Sequence, residues 1–579
     1  MKRLIWIIGI ALMLGAIPTH AQANRMIDAE LIDRANAQGL VSVIVQFDSG
    51  AARMSDVRAN IARTANTRIA SDSANWAIPF VALEVDAAGL RALAVDPMVR
   101  AIQADHAYFP ALASSIPVIR ADAAWARGID GAGQTVVVLD TGVEAAHSFF
   151  GGRVVAEACF SGGGFADSLC PIGDIIQIGA GAASPEKCVG YGGCAHGTHV
   201  SGIAVGRADT GSGVARGANL IGIQVFSLLG GLTAYDSNLI SGLNYVYNLS
   251  GVYDIAAANM SLSDGIFESS ACDDQNLALK AAIDLLLSVG IPTVIAAGNQ
   301  GYATGITAPA CISSAVSVGA TTDADAIASF SNRAPILDLF APGAAITSSV
   351  LNGQFASANG TSMAAPHVAG AFALLRQAHP TALIDRLLNA LQLSGRAIPI
   401  DGGTIPRIDV IAALDALDGA PLPNRLSNGD FASGLTSWYP WDGTVVQTPG
   451  QWLEWRRELG SDSAVVAQNS GVSVAAGGGL EARADFGNLS GVRKRVAIIL
   501  HDADWDDLAV CSFWLDPFVP PRTFIMRMTT GQAWEAAQVS LYLSPDDGIG
   551  WVRVDNAALR PLLDSPDGVT QCIDPNLLA

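Results

Sequence analysis

The chain has 579 residues, half of them hydrophobic, and its 33 lysines and arginines against 53 aspartates and glutamates give a formal net charge of -20. That length accommodates several domains. The acidic balance argues against nucleic acid or an anionic membrane surface as a partner, and it is typical of a secreted protein kept soluble by charge.

The first 23 residues have the three parts of a secretory signal peptide. Lys2-Arg3 precedes an apolar run over 4–17, and Ala21-Gln22-Ala23 forms a cleavage box. The run is short for a membrane span and no second such segment follows, so we expect cleavage after residue 23 and no stable membrane insertion. The eight cysteines lack the paired CxxC spacing of zinc sites and indicate structural disulfides in an oxidising compartment.

Residues 24–114 have the pattern of a small α+β domain. The predicted elements are strands at 41–47, 81–85 and 99–103 and helices at about 54–68 and 87–95. The stretch 108–117 contains small residues and two prolines, so we expect it to be extended and accessible.

Residues 115–420 alternate apolar strands with helical patterns, which predicts an α/β domain whose parallel sheet is covered by helices on both faces. The strand candidates are 136–140, 220–226, 255–260, 293–296 and 315–318, and the clearest helices are 236–249 and 276–289. In such a fold, functional groups collect at the carboxyl ends of strands and at helix starts.

Four short blocks of this region carry groups suited to nucleophilic catalysis. A strand ends in Asp140-Thr141-Gly142, His196-Gly197-Thr198-His199 opens a helix, Ala296-Ala297-Gly298-Asn299 follows a strand, and Asn359-Gly360-Thr361-Ser362-Met363 leads into a helix. Taken alone, Ser362 is equally well explained as a helix N-cap. A serine nucleophile needs a base, however, and the base needs a partner. The order Asp, His, Ser is one in which such triads occur.

These blocks, in this order, resemble the signature blocks of the subtilisin family of serine proteases, over roughly the middle half of the chain. The resemblance implies that Ser362 is the nucleophile of peptide-bond hydrolysis, with His196 as the base and Asp140 as the carboxylate that orients it. It also implies that Asn299 and the backbone N–H of Ser362 stabilise the oxyanion. His199 and His367 are then assigned to packing and hydrogen bonding.

The stretch from Asn259 to Ser263 resembles the family's strand that pairs with substrate, so Ser261, Leu262 and Ser263 are predicted to bind substrate, together with Ala297 and Gly298. Ser263 replaces the family's usual glycine and should reshape the first specificity pocket. Large apolar side chains are expected there, and Asp264 leaves a basic preference open. Calcium sites are common in the family, but no clear oxygen-ligand motif is found, so no metal ligand and no cofactor are assigned and calcium stays open.

The α+β segment resembles the inhibitory pro-domain in front of many of these proteases, which makes the chain's own pro-domain a partner and places self-cleavage within 108–117. A stabilising domain that stays attached is the alternative. Six cysteines of the middle region allow about fifteen pairings. Nearest-neighbour pairing suggests Cys159–Cys170, Cys188–Cys194 and Cys272–Cys311, and Cys511 and Cys572 are expected to pair in the tail.

Residues 421–579, beginning with the linker Pro421-Leu422-Pro423-Asn424, are predicted to form an antiparallel, jelly-roll-like β-sandwich. Eight tryptophans lie in this tail, and most are expected in its core. Asn428-Gly429-Asp430-Phe431 followed by Trp438 resembles the opening of domains related to carbohydrate-binding modules, which leaves carbohydrate binding open.

The sequence therefore favours a secreted serine endopeptidase, extracellular or periplasmic, that processes its own precursor. One alternative is a catalytically idle binding or adhesion protein on a protease fold, which labelling of Ser362 by a fluorophosphonate would exclude. Another makes the tail the functional part, and the activity of a chain ending near residue 420 would test it.

Overall fold

The computed structural model describes residues 29–47, 67–69, 80–104, 112–162, 166–208, 211–544, 549–574 and 577. The predicted signal peptide and residues 54–66 of a predicted helix lie outside these ranges. The chain divides into two compact units, Met1–Phe109 and Pro110–Ala579. Within the described ranges, no helix combines the length and the apolar character that crossing a membrane requires.

The described part of the first unit is a four-stranded antiparallel sheet with two helices. Its elements are α1 (Ala29–Gln38), β1 (Val41–Phe47), β2 (Thr67–Ile69), β3 (Phe80–Val85), α2 (Ala87–Val95) and β4 (Val99–Ala104). The strand order is β2-β3-β1-β4. Alternate residues of β1 and β3, such as Val43 and Leu83, form the core with Leu31 and Leu90 of the helices. The α+β pattern is thus observed, although α1 and β2 were not predicted, and residues 67–68, expected at the end of a helix, belong to β2.

Helix α3 (Leu112–Val118) opens the second unit and corrects one prediction. The stretch 108–117 was expected to be extended and accessible, but its part from residue 112 onward is helical. Ser115 and Ile116 are buried there, and residues 108–111 lie outside the described ranges. The predicted domain boundary after residue 114 falls inside this helix. Small residues and a proline are compatible with a short helix when its apolar face packs against a core.

The centre of the second unit is a ten-stranded sheet, as the alternating pattern predicted. Its strands are β5 (Thr135–Asp140), β6 (Val154–Phe160), β8 (Ile176–Ile178), β9 (Asn219–Gln224), β12 (Ile255–Met260), β13 (Thr293–Ala296), β14 (Val316–Thr321), β15 (Leu339–Pro342), β18 (Arg396–Ile400) and β19 (Gly403–Arg407). The order is β18-β19-β15-β14-β13-β12-β5-β9-β6-β8. All neighbours are parallel except the outermost pair at each edge.

Helices cover both faces of this sheet. They are α4 (Ala121–Ala126), α5 (His196–Val205), α6 (Asp236–Leu249), α7 (Leu277–Ser288), α8 (Thr361–Ala378), α9 (Ile384–Ser394) and α10 (Val410–Leu417), with short 3₁₀ turns at Pro185–Lys187 and Asp273–Gln275. One core cluster joins α5 and α8 to one face, and a second joins α6 and α7 to the other. Smaller sheets are formed by β7 (Asp167–Ser168), β10 (Phe226–Leu228) and β11 (Leu232–Ala234), and by β16 (Ile346–Val350) with β17 (Gln354–Ala358).

The tail forms two antiparallel sheets around a third core, as predicted. Its strands are β20 (Tyr439–Pro440), β21 (Thr444–Gly450), β22 (Trp452–Arg457), β23 (Ala464–Asn469), β24 (Gly479–Asn488), β25 (Lys494–His501), β26 (Leu508–Leu515), β27 (Arg522–Thr529), β28 (Gln538–Leu543), β29 (Val552–Leu562) and β30 (Gln571–Ile573). The four disulfides pair as nearest-neighbour reasoning suggested: Cys159–Cys170, Cys188–Cys194, Cys272–Cys311 and Cys511–Cys572.

The expectation that most tail tryptophans lie in the core is wrong. Three of the eight are buried, namely Trp438, Trp455 and Trp534, whereas Trp441, Trp505 and Trp514 are at least 36% exposed. Trp514 shows why, because its neighbours Phe513 and Leu515 on β26 face the core and strand alternation turns Trp514 outward.

Candidate active site

Asp140 and His196 form a hydrogen-bonded pair. Asp140 is the last residue of β5 and is 1% exposed, and His196 opens α5 with its side chain 27% exposed. The imidazole Nδ1 lies 2.8 Å from Asp140 Oδ1 and 3.0 Å from Oδ2. The carboxylate therefore fixes Nδ1 as the protonated nitrogen and leaves Nε2 as the basic one.

Residues beside this pair fix its geometry. The backbone N–H of Thr141 donates to Asp140 Oδ1 at 2.7 Å, and the Thr141 hydroxyl accepts from the N–H of Gly197 at 3.0 Å. A side chain at Gly197 would collide with the carbonyl of Gly142 and with Asp140. The glycine after His196 is thus required because strand and helix approach so closely.

The pKa of His196 is raised above its usual value. Burial opposes the charged imidazolium, but the charge of Asp140 and the hydrogen bond to it favour it more strongly. A histidine in this environment accepts a proton more readily than a free imidazole does.

Asn299 lies in the turn after β13 and is tied to the start of α8. Its Oδ1 accepts from the backbone N–H of Thr361 at 2.8 Å and from the Thr361 hydroxyl at 3.1 Å. The same hydroxyl accepts from the N–H of Gly298 at 3.2 Å. With its oxygen held in this way, the amide Nδ2 has no hydrogen-bond partner among the described residues and remains available as a donor.

Ser362 is the second residue of α8, whose N-cap is Gly360, so the N-cap interpretation of Ser362 is wrong. Its hydroxyl donates to the carbonyl of Ser261 at 3.4 Å, and the Ser261 hydroxyl donates to the carbonyl of Ser362 at 2.8 Å. Among the described residues, Ser362 and His196 do not share a hydrogen bond. Hydrogen bonds between catalytic groups are often long in structures without substrate.

The sheet brings these groups to one edge. Strand β12 lies between β5 and β13, and all three are parallel. Asp140 ends β5, Ser261 follows β12, and Asn299 follows β13. Neighbouring strands lie about 4.8 Å apart, so the three chain segments converge where α8 begins.

The predicted substrate residues lie at this edge but differ in accessibility. Ala297 is fully buried and Gly298 is buried, Leu262 packs partly against the core, and Ser263 is exposed. Ser261 is 3% exposed, and both its hydroxyl and its carbonyl are engaged with Ser362. Ser261 therefore holds the start of α8 in place.

His199 and His367, the two histidines assigned to packing, are buried and neutral. His367 Nδ1 contacts the carbonyl of Met363 at 2.8 Å, and its Nε2 contacts the Ser115 hydroxyl at 2.9 Å. His199 Nε2 contacts the carbonyl of Ala356 at 3.0 Å. Burial lowers the pKa of each to about 4, so both serve packing and hydrogen bonding, as expected.

Sequence reasoning missed the supporting roles of Thr141, Thr361 and Ser115. Both threonines belong to the four motif blocks, directly beside Asp140 and Ser362, and that adjacency was the available signal. Ser115 gave no signal, because its contact is 252 residues distant in the chain. Among the described residues, no group of three or more His, Cys, Asp or Glu side chains is arranged to hold a metal ion, so no ligand set is assigned.

The groups at the carboxyl edge of this parallel sheet are those of a serine hydrolase site. They are an Asp–His pair, a serine in the first turn of a helix and an asparagine with a free amide donor. Residues 131–395 match the model of the subtilase family. An extracellular serine proteinase of a Thermus species is 35% identical over 324 residues, covering 54% of this chain and 69% of that protein. The chain belongs to the subtilase family, and its enzyme class is serine endopeptidase.

One further relative and one solved structure are also similar to this chain. The alkaline serine exoprotease A of Vibrio alginolyticus is 33% identical over 317 residues, covering 54% of this chain and 52% of that protein. This chain therefore spans about half the length of the Vibrio relative. The crystal structure of a cold-adapted subtilisin-like serine proteinase is 34% identical, with a match that covers 46% of this chain and 84% of that chain at a TM-score of 0.36.

Proposed function

We propose that this protein is a secreted endopeptidase in which Ser362, His196 and Asp140 form the catalytic triad. The observation that carries the proposal is the double contact of His196 Nδ1 with the buried Asp140 carboxylate, which leaves Nε2 free to accept the serine proton. Ser362 attacks the scissile carbonyl, and His196 takes its proton and later passes it to the leaving amine. Asp140 orients the imidazole and stabilises its charged form.

Asn299 supplies the oxyanion donor. Its Oδ1 is held by Thr361, so the Nδ2 group needs no reorganisation when negative charge develops on the substrate carbonyl. Preorganised donors of this kind stabilise the transition state more than the ground state. The backbone N–H of Ser362, in the first turn of α8, is the second donor.

The protein is exported and processes itself. The support for export is the signal-peptide pattern, the four disulfides and the name of the Thermus relative, an extracellular serine proteinase. Ser115 is buried and bonded to His367, so residues from Leu112 onward belong to the catalytic part and cleavage falls before them. The first unit is the inhibitory partner that is released.

The substrates are proteins or peptides, bound beside Leu262 and Ser263 with large apolar side chains preferred. The test is labelling of Ser362 by a fluorophosphonate, compared with Ser362→Ala in the full chain. We expect the wild type to be labelled and processed, and the variant to remain an unlabelled precursor. An unlabelled but processed Ser362→Ala protein would assign maturation to another protease, and a wild type that resists labelling would favour an idle protease fold.

The tail binds carbohydrate in this proposal. The specific support is Trp441, which is 50% exposed and lies edge to face with Trp505 at 5.7 Å, because an exposed indole ring offers a flat apolar face to a sugar. Co-sedimentation with insoluble polysaccharides tests it. Binding should be lost in Trp441→Ala, and equal sedimentation of the variant and the wild type would remove the proposal.

A further inference from the structure

A cleft of about 510 Å³ lies between the sandwich and the last helices of the catalytic domain. Helix α9 contributes Arg386, and helix α10 with the two residues that precede the linker contributes Ala416, Gly419 and Ala420. The linker contributes Pro421 and Leu422, and one sandwich sheet with the loop after β29 contributes the rest. It lies outside the groups of the catalytic site, and the proposed peptidase activity makes no use of it.

The charged residues of this cleft are mostly arginines, although the whole chain carries a net charge of -20. Four arginines line it, with two carboxylates: Arg386, Arg483, Arg527, Arg560, Glu481 and Asp564. Arg386 forms a bidentate pair with Asp564 at 2.9 and 3.1 Å. Arg527 Nε contacts Glu481 at 2.8 Å. Both carboxylates are thereby paired, and the guanidinium groups of the other two arginines of the cleft are left without an ion pair among the described residues.

Arg483 and Arg560 are these two, and they lie close together on neighbouring strands. Glu481 and Arg483 share one face of β24, and Arg560 on β29 is directly opposite Glu481. Arg483 and Arg560 are therefore diagonal neighbours, about 7–8 Å apart along the sheet. Neither side chain forms an ion pair or a hydrogen bond with any described residue.

The two side chains are also partly removed from water. The Nε atoms of Arg483 and Arg560 are buried and have no hydrogen-bond partner in the part of the chain that the structure describes, and a buried donor without a partner is unfavourable. Burial and then the charge of Arg483 lower the pKa of Arg560, and the charge of Glu481 opposes them without cancelling the shift. Two like charges are thus held close together, while Glu481, the carboxylate beside them, forms its ion pair with Arg527.

We propose that Arg483 and Arg560 bind a small tetrahedral oxyanion, such as sulfate or phosphate, in this cleft. The planar fork of each guanidinium presents parallel N–H donors that match two oxygens of such an anion. The bound anion lies against both the sandwich and the α9 side of the cleft, so it also stabilises the junction of the two domains. The strongly negative net charge disfavours the approach of a long polyanion, which is why a free anion is the expected source.

The test uses the full chain carrying Ser362→Ala, so that self-digestion does not interfere. Sodium sulfate and sodium phosphate are titrated by calorimetry at ionic strength held constant with sodium chloride, and dextran sulfate serves as the polyanionic source. The variants are Arg483→Gln, Arg560→Gln and the pair. The matched control is Arg493→Gln, which removes an exposed arginine of the same sandwich, 59% exposed and paired with Asp516.

We expect saturable binding of sulfate or phosphate and a rise in Tm with anion concentration. Each cleft variant should weaken binding about tenfold or more, because each removes charge-assisted hydrogen bonds, and the control should bind like the parent. If the paired variant fails to fold, Arg483→Lys keeps the charge without the fork and should weaken binding.

Three results would overturn the proposal. They are the absence of saturable binding by both inorganic anions, equal binding by cleft variants and control, and binding of dextran sulfate alone. Sulfate also stabilises folded proteins in general. That effect raises the Tm of every variant equally, whereas specific binding raises the Tm of the parent and the control more than that of the cleft variants.

Discussion

Asn299 offers a way to separate catalysis from folding, because its two side-chain atoms have different partners. Its Oδ1 accepts from Thr361 at the start of α8, and its Nδ2 is the free donor proposed for the oxyanion. Asn299→Ala removes both functions. Asn299→Asp keeps an acceptor for Thr361 and removes the donor, so the two variants should differ in stability and agree in lost activity.

The magnitudes follow from these contacts. Removing an oxyanion donor from a subtilisin typically lowers kcat by about 10²–10³, and KM should hardly change because the oxyanion forms only after binding. The alanine variant also leaves the buried N–H of Thr361 unpaired, at a cost of about 1–3 kcal/mol. The aspartate variant avoids that cost and gains about 0.3–1 kcal/mol from a carboxylate at a helix N-terminus.

The assay has two parts. Values of kcat and KM are measured with a chromogenic peptide, and the free energy of unfolding is measured by urea denaturation in the Ser362→Ala background. A loss confined to KM would show that Asn299 positions substrate. Near-normal kcat in Asn299→Asp would remove the oxyanion role, and equal destabilisation by both substitutions would refute the importance of the Thr361 contact.

The remaining predictions use the other groups. Asp140→Asn should lower kcat by about 10⁴. It should also move the acid limb of the kcat/KM profile to lower pH, because Asp140 raises the pKa of His196 and only neutral His196 acts as the base. If the acid limb does not move, it reports the titration of another group. The free energy of unfolding of the catalytic domain should fall by on the order of 3 kcal/mol per histidine as pH falls from about 6.5 toward 4. In that range both histidines become protonated in the unfolded chain, whereas in the folded domain His199 and His367 stay neutral because their pKa is lowered to about 4. Calorimetric Tm values against pH should therefore be flatter in His367→Gln than in its parent, and parallel curves would contradict this. Purified residues 24–109 should inhibit the mature enzyme at micromolar concentration or below, and a folded segment without effect on hydrolysis would be only a structural domain.

Much of the fold could be predicted because its elements carry strong local patterns. The strand Ile255–Met260, the helix Asp236–Leu249 and the helix Ala87–Val95 begin and end where the sequence analysis expected. Long apolar runs bounded by turn residues leave few alternatives for a chain that must bury them. The motif blocks could be recognised because tight packing restricts which residues fit at some of their positions. At Gly197, for example, the close approach of the backbone leaves no room for a side chain.

Helix α3 shows where local pattern was insufficient. Its small residues and Pro117 are equally typical of an extended linker. The helix is stabilised by contacts that the sequence does not display, chiefly the burial of Ile116 and the bond from Ser115 to His367 on a distant helix. The exposure of Trp514 likewise depends on which face of β26 is turned to the core.

The sequence by itself determined the order of the elements, the four blocks and the residue types available for chemistry. Only the tertiary structure decided that Asn299 is held by Thr361, that Ser261 braces Ser362, and that Arg483 and Arg560 lie close together without an ion pair among the described residues. Each of these contacts joins residues far apart in the chain, and their distances are set by how strands register and helices pack, which no short stretch of sequence encodes.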